Sequence, residues 1–261
     1  MLKNKISPGL GRAAIVTGAG KRLGKAMALA LGEDGFSVAI HYNRSNDEAL
    51  EVANAIKDNG NSVTVVQADL SNEDETAALI ATASDALQAP ISLLINSASL
   101  FENDELSTMT NDSWDAHLST NLRAPVFLTQ QFATQAPNDV DNLVINIIDQ
   151  RVLKLTPQFF SYTLSKSALH VATKTMAQAL APCGVRVNAI APGPTMRNDR
   201  QSEADWQAQN AATITGKGAL PDDIASAMRY LISAGPVTGQ MISVDGGQHL
   251  GWETPDALVK E

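Results

Sequence analysis

The stretch Val144–Lys166 reads as a buried strand, a loop and the start of a helix that carries Tyr162 and Lys166. Residues four apart on a helix share a face, so this phenol and this ammonium point the same way. A nearby cation favours phenolate over phenol and lowers a pKa that is about 10 in water. Tyr162 is then usable as a proton donor or acceptor near neutral pH. Taken alone, Tyr-x-x-x-Lys occurs often by chance, and an exposed tyrosine beside a solvated lysine is the better reading of it.

A second set of residues suits a dinucleotide. Thr17-Gly-Ala-Gly-Lys-Arg-Leu-Gly24 follows an apolar run and opens a helical stretch. Gly18, Gly20 and Gly24 let the backbone approach a pyrophosphate, with Lys21, Arg22 and Leu23 at the helix N-terminus. The next strand ends in Ile40-His-Tyr-Asn-Arg-Ser45 with no acid to bind a ribose 2′-hydroxyl. His41, Asn43, Arg44, Ser45 and Arg22 instead offer donors to a 2′-phosphate, which favours NADP(H) over NAD. An exposed basic loop, with Arg44 paired to Asp47 or Glu48, is the alternative. Ala68-Asp69-Leu70 ends the third strand and suits an adenine amino group. Asp69 suits the cap of the next helix equally, in competition with Ser71 followed by Asp74. The fourth strand runs into Asn96-Ser-Ala-Ser-Leu-Phe101, whose short side chains leave room for a cofactor. Asn121 is polar among apolar neighbours and, if buried, must be hydrogen-bonded.

Seven aliphatic runs can position these groups: Ala13–Val16, Val38–Ile40, Val63–Val66, Ile91–Ile95, Leu143–Ile148, Val185–Ile190 and Met241–Val244. Most lack alternation, as strands covered on both faces do. Leu50, Ala53 and Ile56 form one intervening helical stripe, and Ile80, Ala83 and Leu87 another. Trp114, Leu118 and Leu122 lead to Pro125, which is expected to kink a helix over 113–132. Ile224, Met228, Leu231 and Ile232 mark a last helix entered through Pro221-Asp222-Asp223. The alternation implies an α/β, doubly wound parallel sheet of seven strands in a single domain over 1–261. The polar stretch 192–218 suits a lid over a site.

The chain has 261 residues, 44% hydrophobic, and a net charge of −9, which argues against a nucleic-acid or anionic-membrane surface. Its one cysteine, Cys183, is expected to pack between a helix and a strand, and no metal site is expected. No apolar run approaches the ~18 residues of a membrane span. The N-terminal MLKNKISPGLGR lacks the apolar core of a signal peptide, so the expected location is the cytoplasm.

In order, over about residues 11–250, these motifs resemble the short-chain dehydrogenase/reductase family. The matching positions are Thr17-Gly18…Gly24, Asp69, Asn96-Ser-Ala-Ser99, Asn121, Tyr162-x-x-x-Lys166, Pro192-Gly193 and Val244-Asp-Gly-Gly247. The resemblance implies a Rossmann-like fold and Tyr162 as general acid. It implies that Lys166 lowers the pKa of Tyr162 and holds the nicotinamide ribose, with Asn121 anchoring a water relay behind Lys166. Leu70, Asn96, Ala98, Ser99, Pro192, Gly193 and Thr195 would contribute to the cofactor site. It also implies a homotetramer built partly on the long fourth and fifth interstrand helices.

Where the family usually has a serine before the Tyr, this chain places Asp149, 13 positions ahead of Tyr162. A protonated Asp there could donate a proton; an ionised one could bind an amino-pyrimidine. Lys21-Arg22-Leu23-Gly24, His41-Tyr-x-Arg44-Ser45, Ala98-Ser99-x-Phe101 and Asp149 together resemble the pteridine reductase branch, dihydromonapterin reductases included. Phe101 would stack on a pterin ring, while Ser99 and Arg22 would bond the ring edge or a cofactor phosphate. Ser97 matches neither group's usual asparagine, and Pro194-Thr195 resembles the wider family more. The expected function is an NADPH-dependent oxidoreductase that transfers hydride to a C=N or C=O group of a small-molecule substrate, preferably a dihydropterin. The alternatives are a 3-oxoacyl-thioester or other carbonyl reductase and a non-catalytic NADP-binding sensor.

Overall fold

The computed structural model describes residues 12–254. The segment read for a leader lies outside the described residues except for Arg12, as do both ends of the 1–261 domain. Seven parallel strands form one sheet in the order β3-β2-β1-β4-β5-β6-β7. They are β1 Ala13–Val16, β2 Ser37–Tyr42, β3 Val63–Gln67, β4 Leu93–Asn96, β5 Asn142–Ile147, β6 Val185–Pro192 and β7 Met241–Val244. Among the described residues the eight α-helices are α1 Arg22–Glu33, α2 Asn46–Asp58, α3 Glu73–Leu87, α4 Asn111–Leu118, α5 Ala124–Gln135, α6 Phe160–Leu180, α7 Glu203–Ala211 and α8 Pro221–Ser233.

Along β1, Ala14 and Val16 face the core under α1, α2 and α8, while Ala13 and Ile15 face the core under α3, α5 and α6. Both faces are covered, so β1, β4, β5 and β6 are buried at every residue and β2 at all but its two end residues. Strand order reverses between β1 and β4, and the crevice beyond their carboxyl ends is the expected ligand position in such sheets. Among the described residues no helix is long and apolar enough to cross a membrane.

Several local expectations are corrected. The buried stripe of α2 is Ala49, Val52, Ala53 and Ile56, and Leu50 turns outward at 44% exposure. Helical rotation places Leu50 one step round from that face. The 113–132 segment is not one helix kinked by proline. A π-turn, Ser119–Arg123, separates α4 from α5, and Pro125 sits in the first turn of α5, where its missing N–H is tolerated. The side chains that this segment buries most deeply before α5 are His117 and Asn121 rather than Trp114, Leu118 and Leu122. Cys183 is exposed on the turn into β6 instead of packed. The cap of α3 is Asn72, whose side-chain oxygen accepts from the N–H groups of Asp74 and Glu75 at 3.0 and 3.2 Å, so neither Asp69 nor Ser71 fills that role.

Candidate active site

The glycine turn lies against the end of β4. Thr17 Oγ1 accepts the N–H groups of Ser97 and Ala98 at 2.9 and 3.0 Å. Gly18 adopts φ +64°, and a Cβ there would lie 2.9 Å from the Ala98 Cα. A Cβ on Gly24 would reach 2.3 Å from the Gly18 carbonyl oxygen. Only glycine permits this approach, and the resulting cradle opens at the N-terminus of α1.

His41 is not a phosphate donor. It is buried, its Nδ1 accepts the Gly18 N–H at 3.1 Å, and its Nε2 lies 3.0 Å from the Ala68 carbonyl oxygen. An accepting Nδ1 and a donating Nε2 describe the neutral ring. Burial pushes its pKa down to about 4. His41 therefore ties the glycine turn to the ends of β2 and β3. Glu48 pairs with Lys21 at 2.7 Å, and among the described residues no ion pair joins Arg44 to Asp47 or Glu48. Asn43, Arg44 and Ser45 line the end of β2 with no acid among them, and Gly20 lets the turn come close, since a Cβ there would lie 3.1 Å from Ser45 Oγ. Asp69 is held below the usual carboxylate range, first by the Ser71 hydroxyl at 2.7 Å and then by the Ser71 N–H at 2.9 Å.

Three further expectations shift. The Asn96 side chain turns inward and donates to Asn146 Oδ1 at 2.9 Å, and Asn146 donates in turn to Thr173 Oγ1 at 2.9 Å. Leu70 is buried in the core under α3. Arg22, at φ +51°, sends its guanidinium to the carbonyl oxygens of Arg197 and Met196, both at 3.0 Å. Leu23, in the first turn of α1, packs partly buried against the core. Pro192 ends β6, and a Cβ on Gly193 would lie 2.6 Å from the Asp245 Cβ. Thr195 Oγ1 donates to the Gly193 carbonyl at 3.1 Å.

At the centre, Tyr162 Oη donates to Asp149 Oδ2 at 2.9 Å, while Asp149 Oδ1 accepts the Arg151 N–H at 2.8 Å. Lys166 Nζ donates to the Ile147 carbonyl at 2.8 Å and stands 5.9 Å from the centre of the Tyr162 ring. Tyr162 and Lys166 are both buried. The net shift of Tyr162 runs opposite to the lowering expected from Lys166, for causes other than Lys166. Burial first, and the Asp149 carboxylate second, push the phenol well above its ordinary value. Burial pushes Asp149 up as well, and pushes Lys166 down to about 8 against the opposing attraction of Asp149. Burial thus disfavours ionisation of both partners.

Asn121 bonds the loop after β4 and makes no hydrogen bond with Lys166. Its Oδ1 accepts from the Leu100 N–H at 2.8 Å and the Ser99 hydroxyl at 3.1 Å; its Nδ2 donates to the Leu100 carbonyl at 2.9 Å and Ser165 Oγ at 3.2 Å. These bonds tie the π-turn to α6 and to the loop carrying Phe101. Phe101 stacks on Phe159 (centroids 4.4 Å, 4° between planes) and meets Tyr162 edge-on at 4.7 Å. The Arg151 guanidinium lies 4.6 Å over the Phe159 ring. Segment 196–200 is held at two points. Arg22 bonds one end, while Arg200 donates to the Phe101 carbonyl at 2.6 Å and pairs with Glu102.

Sequence reasoning missed Phe159, Arg151, Asn103, Asp104 and His117. The adjacent Phe159-Phe160 just before Tyr162 was a usable signal for the aromatic wall. Nothing local marks Asp104.

The pattern of the short chain dehydrogenase family matches residues 12–208. A 3-oxoacyl-[acyl-carrier-protein] reductase of Synechocystis sp. is 32% identical over 237 residues, covering 90% of this chain and 95% of its own. The solved structure of FolM alternative dihydrofolate reductase 1 from Brucella suis, in complex with NADP, has a TM-score of 0.91 at 48% identity, covering 95% of this chain and 99% of its own. The glycine cradle at the switch point and the Tyr162–Lys166 face are found where this architecture keeps its chemistry. The chain is a member of the short chain dehydrogenase family and an oxidoreductase.

Proposed function

We propose that this chain is an NADPH-dependent reductase of a C=N bond in a dihydropteridine-type substrate. The carrying observation is the Asp149–Tyr162 hydrogen bond of 2.9 Å beside the edge-on ring of Phe101. It joins a buried phenol–carboxyl pair, whose ionisation burial disfavours, to a flat aromatic wall. The likeness to FolM alternative dihydrofolate reductase 1, at 48% identity, supports the same substrate class.

The residues fit NADP. Gly18 and Gly20 form a cradle that a Cβ would fill, and Arg44, Asn43 and Ser45 offer donors where NAD would need an acid. The Brucella suis relative was solved with NADP. When bound, the cofactor supplies the hydride. Tyr162 gives its Oη proton to the substrate nitrogen, which leaves a phenolate beside Asp149. A phenolate beside Asp149 raises that carboxyl's affinity for a proton, so Asp149 takes one up from solvent and passes it to the phenolate. Lys166 uses one N–H on Ile147 and keeps two for a ribose hydroxyl, and its charge stabilises the phenolate. Phe101 orients a planar ring by stacking, worth about 0.5–1.5 kcal/mol beyond burial. Arg44 and Ser45 bind the 2′-phosphate, and Asp69 the adenine.

The segment 192–218 acts as a lid. Exposed Phe127 on α5 with Leu164 and Val171 on α6 supports a homotetramer built on these helices. The protein works on a small molecule in the cytoplasm.

A carbonyl reductase acting on 3-oxoacyl thioesters is the second reading, favoured by the Synechocystis relative. Following NADPH oxidation with a dihydropterin, dihydrofolate and an acetoacetyl thioester in parallel separates the two. Turnover of the pteridines is expected, and turnover of the thioester alone overturns the assignment. Tight NADPH binding without any turnover would indicate a sensor.

A further inference from the structure

The first N–H groups of a helix have no partner within it and are normally met by a side chain at the residue just before it. Helix α6 lacks such a cap. Its N-cap residue, Phe159, carries no side-chain oxygen and adopts the left-handed conformation at φ +54°. The acceptors come from a distant loop. The Phe159 N–H donates to Asn103 Oδ1 at 3.1 Å, the Phe160 N–H to the Asp104 carbonyl at 3.0 Å, and the Ser161 N–H to Asp104 Oδ1 at 2.9 Å.

Asp104 is only 5% exposed, and its other oxygen accepts the Ser113 hydroxyl at 2.8 Å. A carboxylate at a helix N-terminus also meets the positive end of the helix dipole. The largest single influence, burial, pushes Asp104 up, yet the bonds from Ser161 and Ser113 leave it below the usual carboxylate range. Tyr162 follows Ser161 directly. The loop supplying these acceptors begins with Phe101, which stacks on Phe159 and touches Tyr162. The Glu102 N–H in the same loop donates to His117 Nε2 at 3.3 Å, and the His117 ring lies edge-on to Tyr162 at 6.3 Å.

We propose that Asp104, assisted by Asn103, is a positioning residue for Tyr162: the loop that carries the aromatic wall also caps the helix that carries the proton donor. The proposal rests on Tyr162 being that donor. One loop thereby sets both where a planar substrate lies and where the phenol points. A misplacement of about 1 Å between reacting groups lowers rates by up to about 100-fold.

The test uses the full-length protein, NADPH, and whichever imine or carbonyl acceptor the wild type reduces, so that a wrong substrate class does not decide it. Asp104→Ala should lower kcat by about 10–100-fold, with KM and NADPH affinity changed less than about three-fold. Asp104→Asn, which keeps an acceptor for the Ser161 N–H, should restore most of the rate. Hydrogen exchange should rise at the amides of Phe159–Ser161 in the alanine variant and not in the asparagine one. An unchanged kcat in folded Asp104→Ala, or a fall in melting temperature as the sole effect, overturns the proposal. If Asp104→Ala does not fold, Asn103→Ala carries the test, since it removes only the Phe159 contact: a lowered kcat with raised exchange at Phe159 supports the proposal, and an unchanged kcat overturns it. Loss of kcat in Asp104→Ala while Tyr162→Phe retains full activity would show that Tyr162 is not the donor, which separates failure of that assignment from failure of the cap.

Discussion

The Tyr162 hydroxyl donates to Asp149 Oδ2 at 2.9 Å, so the phenol is committed to a carboxylate rather than to Lys166. This distinguishes the site from a tyrosine primed by a lysine alone. Phenol and carboxylate both titrate above their ordinary values, because burial disfavours the charged form of each.

Tyr162→Phe removes the transferable proton and little volume. Turnover should fall by about 100-fold or more, with NADPH affinity nearly intact. Steady-state kinetics and fluorescence titration of NADPH check both halves. A variant retaining most of the rate would reject Tyr162 as the acid.

Asp149→Ser should lower dihydropterin reduction by about 100-fold while sparing simple ketones. The serine keeps a hydroxyl near Tyr162 but neither relays a proton at the same potential nor binds an amino-pyrimidine. Parallel assays on the two substrate types decide it, and equal retention of both activities would make Asp149 structural.

Asp149 has a folded-state pKa raised by burial, so folding takes up a proton between its unfolded and folded values. Its favourable contribution is complete below the unfolded carboxylate value and is lost as pH rises through the raised one. Asp149→Asn should therefore gain stability relative to the wild type at pH 7 and lose that advantage near pH 3. Urea unfolding midpoints across this range measure it, and a difference that does not vary with pH refutes the linkage.

Arg44→Ala should weaken NADPH by about 10–100-fold, the size of a lost hydrogen bond between charged groups, and leave NADH within a few-fold. Titration calorimetry with both cofactors is the measurement. Equal losses would remove Arg44 from the phosphate site.

Gly18→Ala forces a side chain onto φ +64° and places its Cβ 2.9 Å from the Ala98 Cα. A stability loss of about 1–3 kcal/mol is expected, together with a marked drop in NADPH affinity. Chemical denaturation and cofactor titration read the two effects separately.

The strands were legible because a sheet covered on both faces demands continuous apolar runs, and each of the seven falls within two residues of its observed position at both ends. The glycine turn and the Tyr162–Lys166 pair were legible because their spacing is local. Leu50 was misplaced because stripe reading lacked the helix phase that Ala49 and Val52 define. The role of His41 was misread because its partners, Gly18 and Ala68, lie 23 and 27 residues away. The capping of α6 by Asn103 and Asp104 spans 56 and 57 residues, and no periodicity encodes such a pairing.

The neutral imidazole of His41 fastens the turn, β2 and β3 from inside the fold, whereas Arg44 and Ser45 lie just beyond it on the loop after β2. The part that shapes the cradle is thus separate from the residues proposed to discriminate between cofactors. Replacing the exposed Arg44 should therefore cost the fold little, while replacing buried His41 leaves the Gly18 N–H and the Ala68 carbonyl without their shared partner.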